Sequence, residues 1–244
     1  MCVLNQIPEE ATILEELKKY DTPSITNVVA TYPGNTEVCL GLYEPWASNW
    51  YTDDRLRCMY PELGRTVGYA VTCVFGLSGE NAKRVSFNDV LRAIDRSPKP
   101  AIVVIKANFP EKLLGKCAVS GGNMTTAMQV AGAVGVISDG PSRDIDEIRE
   151  MGMQYLIKGA TAGHGEFAVH AVNVPVSVAG MDVAPGEIIH MDENGAVKFP
   201  RDVLPEVLSR VEKLLVAEAV RMKKMRAAGD IEALIRALAD FEEA

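Results

Sequence analysis

Between residues 64 and 158 the chain alternates apolar runs with amphipathic stretches. "GRTVGYAVTCVF" (64–75) is rich in β-branched residues and predicts a strand. "SFNDVLRAID" (86–95) has helical spacing, with Ser86 placed to cap it. "AIVVI" (101–105) is continuously apolar, as expected of a strand covered on both faces. "TTAMQVAGA" then predicts a helix, opened by Asn123 or Thr125, and "GVIS" (135–138) a strand. "IDEIREM" (145–151) predicts a helix with Gly152 beyond its end, and "YLIK" (155–158) another strand.

The flanks have a different texture. Residues 8–19 predict a helix entered at Pro8, and "DTPSITNVVATY" a second one capped by Ser24. Residues 33–63 have no clean period and are rich in Pro, Gly, Trp and Tyr, as in a segment that wraps a surface or covers a site. After residue 160, "NVPVSV", "GEIIHM" and "AVKF" predict short strands, the last two joined by a hairpin at Asn194-Gly195. The tail (203–243) is helical, and Leu204, Val207, Leu208, Val211, Leu214 and Leu215 form one stripe. Gly229-Asp230 interrupts it. The pattern as a whole predicts a single α/β domain with mixed sheets over 1–202, followed by a helical extension over 203–244 that packs on the domain or on a neighbouring subunit.

Composition narrows the function classes. A net charge of −8, with "RMKKMR" (221–226) as the one basic cluster, argues against nucleic-acid binding. An acidic chain can still hold an anionic small molecule through a few local cations. No apolar run is long enough to span a membrane, and the first residues lack the basic start and apolar stretch of a signal peptide. Five scattered cysteines without C-x-x-C spacing point to reduced thiols, hence to a cytoplasmic setting. No G-x-G-x-x-G follows a strand, and no glycine-rich loop is placed to seat S-adenosylmethionine.

Three constellations carry candidate chemistry. "SDGPSRD" (138–144) lies between a strand end and a helix start, where α/β proteins place ligands. Arg143 can grip a carboxylate with two donors. Asp144 offers hard oxygen to Mg2+ or Mn2+, which take one or two protein carboxylates and keep several waters. The same residues have a structural reading: Asp144 and Glu147 stand at the D-x-x-E spacing of a capping box. "SGGNMTTA" (120–127) places two glycines before a helix, as in an anion cradle or in a simple turn with a cap. It leads into the element before "GVISDGPSRD", so the two loops can be neighbours on one sheet edge. Glu218, four residues after Leu214 and seven after Val211, falls on the apolar stripe of the tail. There it either snorkels to water or reaches a polar site across a subunit contact. "HGEFAVH" (164–170) gathers His164, Glu166 and His170 without zincin spacing, and His190 in an apolar strand reads as structural.

Taken together, "GGNM", "GAVGVISDGPSRD" and "GATAGHGEFAVHAVNVPVSVAGMDVAPGEIIHMDENGAVKFP" resemble the family that contains 4-hydroxy-4-methyl-2-oxoglutarate aldolase and the regulator of ribonuclease E activity A. The resemblance runs over about residues 12–229. It implies a compact α/β/β/α fold related to swivelling domains, assembled as homotrimers or homohexamers with sites at subunit contacts. It implies that Arg143 binds an oxo-acid and that Asp144 ligates Mg2+ or Mn2+. Backbone donors to the substrate carboxylate map to Gly121, Gly122, Asn123 and Met124. A glutamate on a neighbouring subunit's C-terminal helix, which joins the metal's water shell, maps to Glu218. The chain departs from this pattern at Gly122, where the aldolases carry an acidic residue that handles a proton; His164, Glu166 and His190 are the candidates to replace it. The activity so implied is a metal-dependent lyase that cleaves a C–C bond of a pyruvate-like 2-oxo-acid, by retro-aldol or decarboxylation, and releases pyruvate. The alternative is a non-catalytic regulator on the same scaffold.

Overall fold

The computed structural model describes residues 8–32, 37–47, 49–79 and 85–239. The chain opens with α1 (Pro8–Leu17) and α2 (Thr22–Val29). Asp21, not Ser24, caps α2: its carboxylate accepts the Ser24 N–H at 2.9 Å. The Thr-Pro pair after Asp21 starts the helix three residues before the expected position, because proline fixes a helical φ in the first turn. The segment up to residue 63 is irregular where described, apart from β1 (Arg57–Cys58) and a 3-10 turn at Pro61–Leu63. Residues 33–36 and 48 of it, and 240–243 of the expected tail, lie outside the described residues.

The centre then alternates as its sequence predicts: β2 (Thr66–Leu77), α3 (Phe87–Arg96), β3 (Ala101–Asn108), α4 (Glu111–Leu114), α5 (Gly122–Val130), β4 (Ala133–Ser138), α6 (Ile145–Glu150) and β5 (Gln154–Ile157). Ser86 opens α3 as expected, its N–H donating to the Asp89 carboxylate at 2.8 Å. The β-rich portion contains β6 (Phe167–Val172), β7 (Val176–Val178), β8 (Met181–Val183), β9 (Ile188–Asp192) and β10 (Gly195–Phe199). The β9–β10 hairpin turns at Asn194-Gly195, where Gly195 has φ +131°, a conformation that favours glycine. Helix α4 and strands β6 and β8 were not foreseen from periodicity; α4 and β8 are short, and β6 begins inside the histidine-containing stretch.

The main sheet runs β1-β5-β4-β3-β2-β9-β10, with β6 also paired to β2. Strands β2 to β5 are parallel, and the outer pairings are antiparallel. A small β7–β8 hairpin stands apart from the main sheet. Period-two alternation sorts the central strands onto two faces. Val71, Val103 and Val136 pack under α3, α5 and α6, while Ala70, Ile102, Val104 and Ile137 pack against the β7–β8 hairpin. Each such aliphatic side chain contributes on the order of 1.5–3 kcal/mol when buried.

A third cluster joins α1 and α2 to the β9–β10 end of the sheet and to α7 (Leu204–Arg226). Leu204, Val207, Val211 and Leu214 of α7 are buried in it, so the first three turns of the tail belong to the core. Beyond Leu214 the same helix exposes Val216 and Val220, and α8 (Ile231–Ala239) exposes Ile231 and Ile235. Among the described residues no helix is long and apolar enough to cross a membrane.

Candidate active site

Parallel strands must be joined by crossovers, so the carboxyl ends of β3, β4 and β5 all emerge on one edge of the sheet. The segments leaving these ends form two adjoining clefts that share Arg143 and Asp144. One, of about 270 Å3, is also lined by Ser120, Gly121, Asn123, Met124 and His164. The other, of about 370 Å3, has Ile145 and Ala160–Ala162 as its remaining walls. A third cavity of about 370 Å3, beside α2, is walled by Thr22, Trp46, Trp50 and Tyr51 among others, with no charged side chain. It has nothing to grip an anion, so we place the candidate site at the Arg143–Asp144 edge.

The loops before α5 and α6 are laced together from below. Val119 N–H donates to Pro141 O at 2.9 Å, and Arg143 N–H to Ser120 O at 3.2 Å. The buried Ser142 hydroxyl donates to Ser120 O at 3.0 Å, and Thr125 Oγ1 lies 2.7 Å from the Tyr155 hydroxyl. Burial pushes the Tyr155 phenol upward and keeps it neutral. The two loops are therefore neighbours, as their positions in the sequence suggested. Asp139, the first aspartate of the loop, is structural: it accepts the Ala107 N–H at 2.8 Å and pairs with Lys106, which pins the end of β3.

Asp144 resolves the ambiguity of the second aspartate. Its backbone is left-handed (φ 59°, ψ 41°), and its side chain makes no capping bond to α6. A capping aspartate needs extended backbone, so the Asp144–Glu147 capping box does not form. The carboxylate turns instead toward α5, where Oδ2 accepts the Gly122 N–H at 2.9 Å. Arg143 Nε stands 3.6 Å from the same oxygen. Left-handed backbone is tolerated by aspartate at a modest cost, and here it aims the carboxylate into the cleft.

Helix α5 starts at Gly121 as its cap, earlier than the Asn123 or Thr125 expected. Its first N–H groups have no intrahelical partner. That of Gly122 is taken by Asp144, leaving those of Asn123 and Met124 facing the cleft end of the helix. A side chain on Gly121 would collide with Asp144 and Arg143, its Cβ falling 2.6 Å from Asp144 Oδ2. A side chain on Gly122 would collide with the carboxylate of Glu147. Glu147, which the sequence offered as a capping residue only, thus rests against Gly122, the residue whose N–H Asp144 takes, although it is not among the residues that line either cleft.

The remaining candidates separate. His164 lines the cleft, its Nδ1 2.9 Å from Gly165 O. Glu166 is exposed, two residues further on. His190 is fully buried, 2.9 Å from Thr22 Oγ1 and 3.2 Å from Leu17 O. Burial depresses its pKa to about 4. It is the structural histidine its apolar strand suggested, and it is excluded as a proton carrier at this site. Glu218 is half-buried on α7, which packs on α1, α2 and α8, and it lines neither cleft within its own chain. Among the described residues no three His, Cys, Asp or Glu side chains cluster as metal ligands.

Comparisons with known proteins place the chain in a family. The model of the RraA-like family, Aldolase/RraA, matches residues 46–198. A 4-hydroxy-4-methyl-2-oxoglutarate aldolase of Thermus thermophilus is 34% identical over 91 residues, 35% of this chain and 52% of that protein. A putative enzyme of the same name from Halalkalibacterium halodurans is 27% identical over 127 residues, 51% of this chain and 58% of that one. Across the curated relatives the matched stretch spans 23% to 58% of their own length. The crystal structure of Streptomyces coelicolor RraAS2, described as an unusual member of the RNase ES inhibitor RraA protein family, superposes with a TM-score of 0.61 at 21% identity, covering 89% of this chain and 98% of that one. The superposition establishes a shared fold, and the family match covers both site loops and more than half of the sequence: the chain belongs to the RraA-like family.

Proposed function

We propose that the protein is a divalent-metal-dependent carbon–carbon lyase that cleaves a pyruvate-like 2-oxo-acid and releases pyruvate. The observation that carries this reading is the left-handed Asp144, whose carboxylate is turned away from its own helix and toward α5 beside Arg143. Curated relatives named as aldolases support it.

The donor set suits Mg2+ or Mn2+. Asp144 is about one-third exposed, and its Oδ1 has no partner among the described residues. Such cations need only one or two protein carboxylates and hard oxygen. When bound, the metal would supply Lewis-acid polarisation of the oxo-acid's carbonyl. Asp144 is the residue that would hold it. Arg143 binds the substrate carboxylate in a forked grip and stabilises the enolate left when the C–C bond breaks. The Asn123 and Met124 N–H groups, at the positive end of α5, orient the same carboxylate. The loop ties at Ser120, Ser142 and Tyr155 keep these donors fixed. Glu218 completes the site from the tail of another subunit, in a trimer or hexamer.

The test is a screen of 4-hydroxy-2-oxo-acids and oxaloacetate with Mg2+ or Mn2+, reading released pyruvate. Metal-stimulated release from one substrate class, abolished by chelation, is expected. No release from any of them would overturn the lyase reading in favour of a non-catalytic regulator.

A further inference from the structure

We propose that Glu147 is the proton-transferring carboxylate of this site; the assignment rests on the lyase reading above. A Cβ built on Gly122 would lie 2.3 Å from Cδ, Oε1 and Oε2 of Glu147 alike. The carboxylate therefore rests directly against the glycine, in space that any other residue at 122 would fill. The same glycine donates its N–H to Asp144. Two carboxylates thus converge on one residue at the mouth of α5, in different states of engagement. Asp144 is held by a hydrogen bond. Glu147 is solvent-exposed and makes no hydrogen bond or ion pair among the described residues. Its structural alternative, the capping box, is absent because Asp144 is left-handed. A carboxylate positioned by packing and free at both oxygens can take up and return a proton.

The proton balance closes within the reaction. With a 4-hydroxy-2-oxo-acid, Glu147 takes the C4 hydroxyl proton as the C4–O bond becomes a carbonyl and the C3–C4 bond breaks. The electron pair forms the pyruvate enolate, held by Arg143. Protonated Glu147 then returns the proton to C3, giving the methyl group of pyruvate. Nothing is oxidised or reduced. Run backward on pyruvate alone, the last step exchanges methyl protons with solvent.

The experiment measures deuterium uptake into the pyruvate methyl group in D2O with Mn2+, by proton NMR, alongside calorimetric binding of Mn2+ and of pyruvate. Glu147→Gln should slow exchange by about 100-fold or more while both binding affinities stay unchanged. Glu147→Ala should lose exchange likewise, and adding Gly122→Asp should restore much of it by supplying a carboxylate from the other side of the same space. That double variant also decides the matter if Glu147→Gln fails to fold. Unchanged exchange in Glu147→Gln overturns the assignment, and a loss in His164→Gln alone moves the role to His164. Loss of Mn2+ binding in Glu147→Gln makes the residue a ligand and overturns it too. Failure of the double variant, folded and metal-bound, to recover exchange reduces Glu147 to packing between α5 and α6. Absence of exchange and of cleavage in the wild type defeats the lyase reading itself, a result distinct from a mutant-specific failure.

Discussion

Asp144 Oδ2 accepts the backbone N–H of Gly122 at 2.9 Å, so the loop after β4 is tied to the first turn of α5 by the residue expected to hold the metal. Asparagine keeps an acceptor oxygen and tolerates left-handed backbone. Asp144→Asn is therefore expected to fold, at a cost of about 1–2 kcal/mol from weakening a charged hydrogen bond. It should lose metal-stimulated turnover. Thermal melting together with Mn2+ titration checks both halves, and metal-stimulated turnover at the wild-type level would refute the role of the carboxylate.

Arg143 is half-exposed, with Nε directed toward Asp144 and Gly121. Lysine would keep the charge and lose the planar fork. Arg143→Lys should reduce kcat/KM by about 10- to 100-fold, the equivalent of roughly 1.5–3 kcal/mol for a charged hydrogen bond. Near-normal kcat/KM would show that a point charge suffices and that the forked grip is not used.

Glu218 and Asp144 are expected to meet only between subunits, since Glu218 lines neither cleft of its own chain. Mixed oligomers of inactive Asp144→Ala and inactive Glu218→Ala subunits should regain activity at sites that combine the two intact residues. If both residues served one chain, every site would inherit a defect. Lack of recovery in oligomers proven mixed by mass spectrometry would refute the shared site.

His190 sets a pH dependence of stability. Burial lowers its pKa to about 4, with the nearby Arg65 acting in the same direction and Asp192 opposing it. The ordinary value is about 6.5. Between these two values the unfolded chain binds the proton and the folded chain does not, so stability falls as pH falls. The stabilisation is fully present above about pH 6.5, and on the order of 3 kcal/mol is lost on descending to about pH 4. Asp21, held below its ordinary range by its cap to Ser24, adds a loss only at lower pH. Urea melts of wild type and His190→Gln across this window check it: the variant, though less stable at pH 7, should have the shallower slope. Equal slopes would assign the pH dependence to other groups.

The element pattern was legible because it depends on local chemistry. Alternation between apolar runs and amphipathic stretches determined β2 to β5 together with α3, α5 and α6, and Asn194-Gly195 determined its hairpin. The stripe beginning at Leu204 determined an amphipathic helix that must cover its apolar face, and only the tertiary structure placed Leu204, Val207, Val211 and Leu214 against the body of the same chain. Parallel strands joined by crossovers require that the loops around residues 121 and 144 share an edge, which is why Arg143 and Asp144 could be singled out as ligand-loop residues. Short elements escaped: α4 is four residues long and β8 three, too few for a period to declare itself. Only the tertiary structure decided between the two readings of D-x-x-E. Spacing cannot report a backbone torsion, and the left-handed φ of Asp144 depends on where Pro141 and Ser142 are pinned by Val119 and Ser120 of another loop. Glu147 beside Gly122 was hidden for the same reason, since the space left by a missing side chain becomes visible only once a second helix is packed against it.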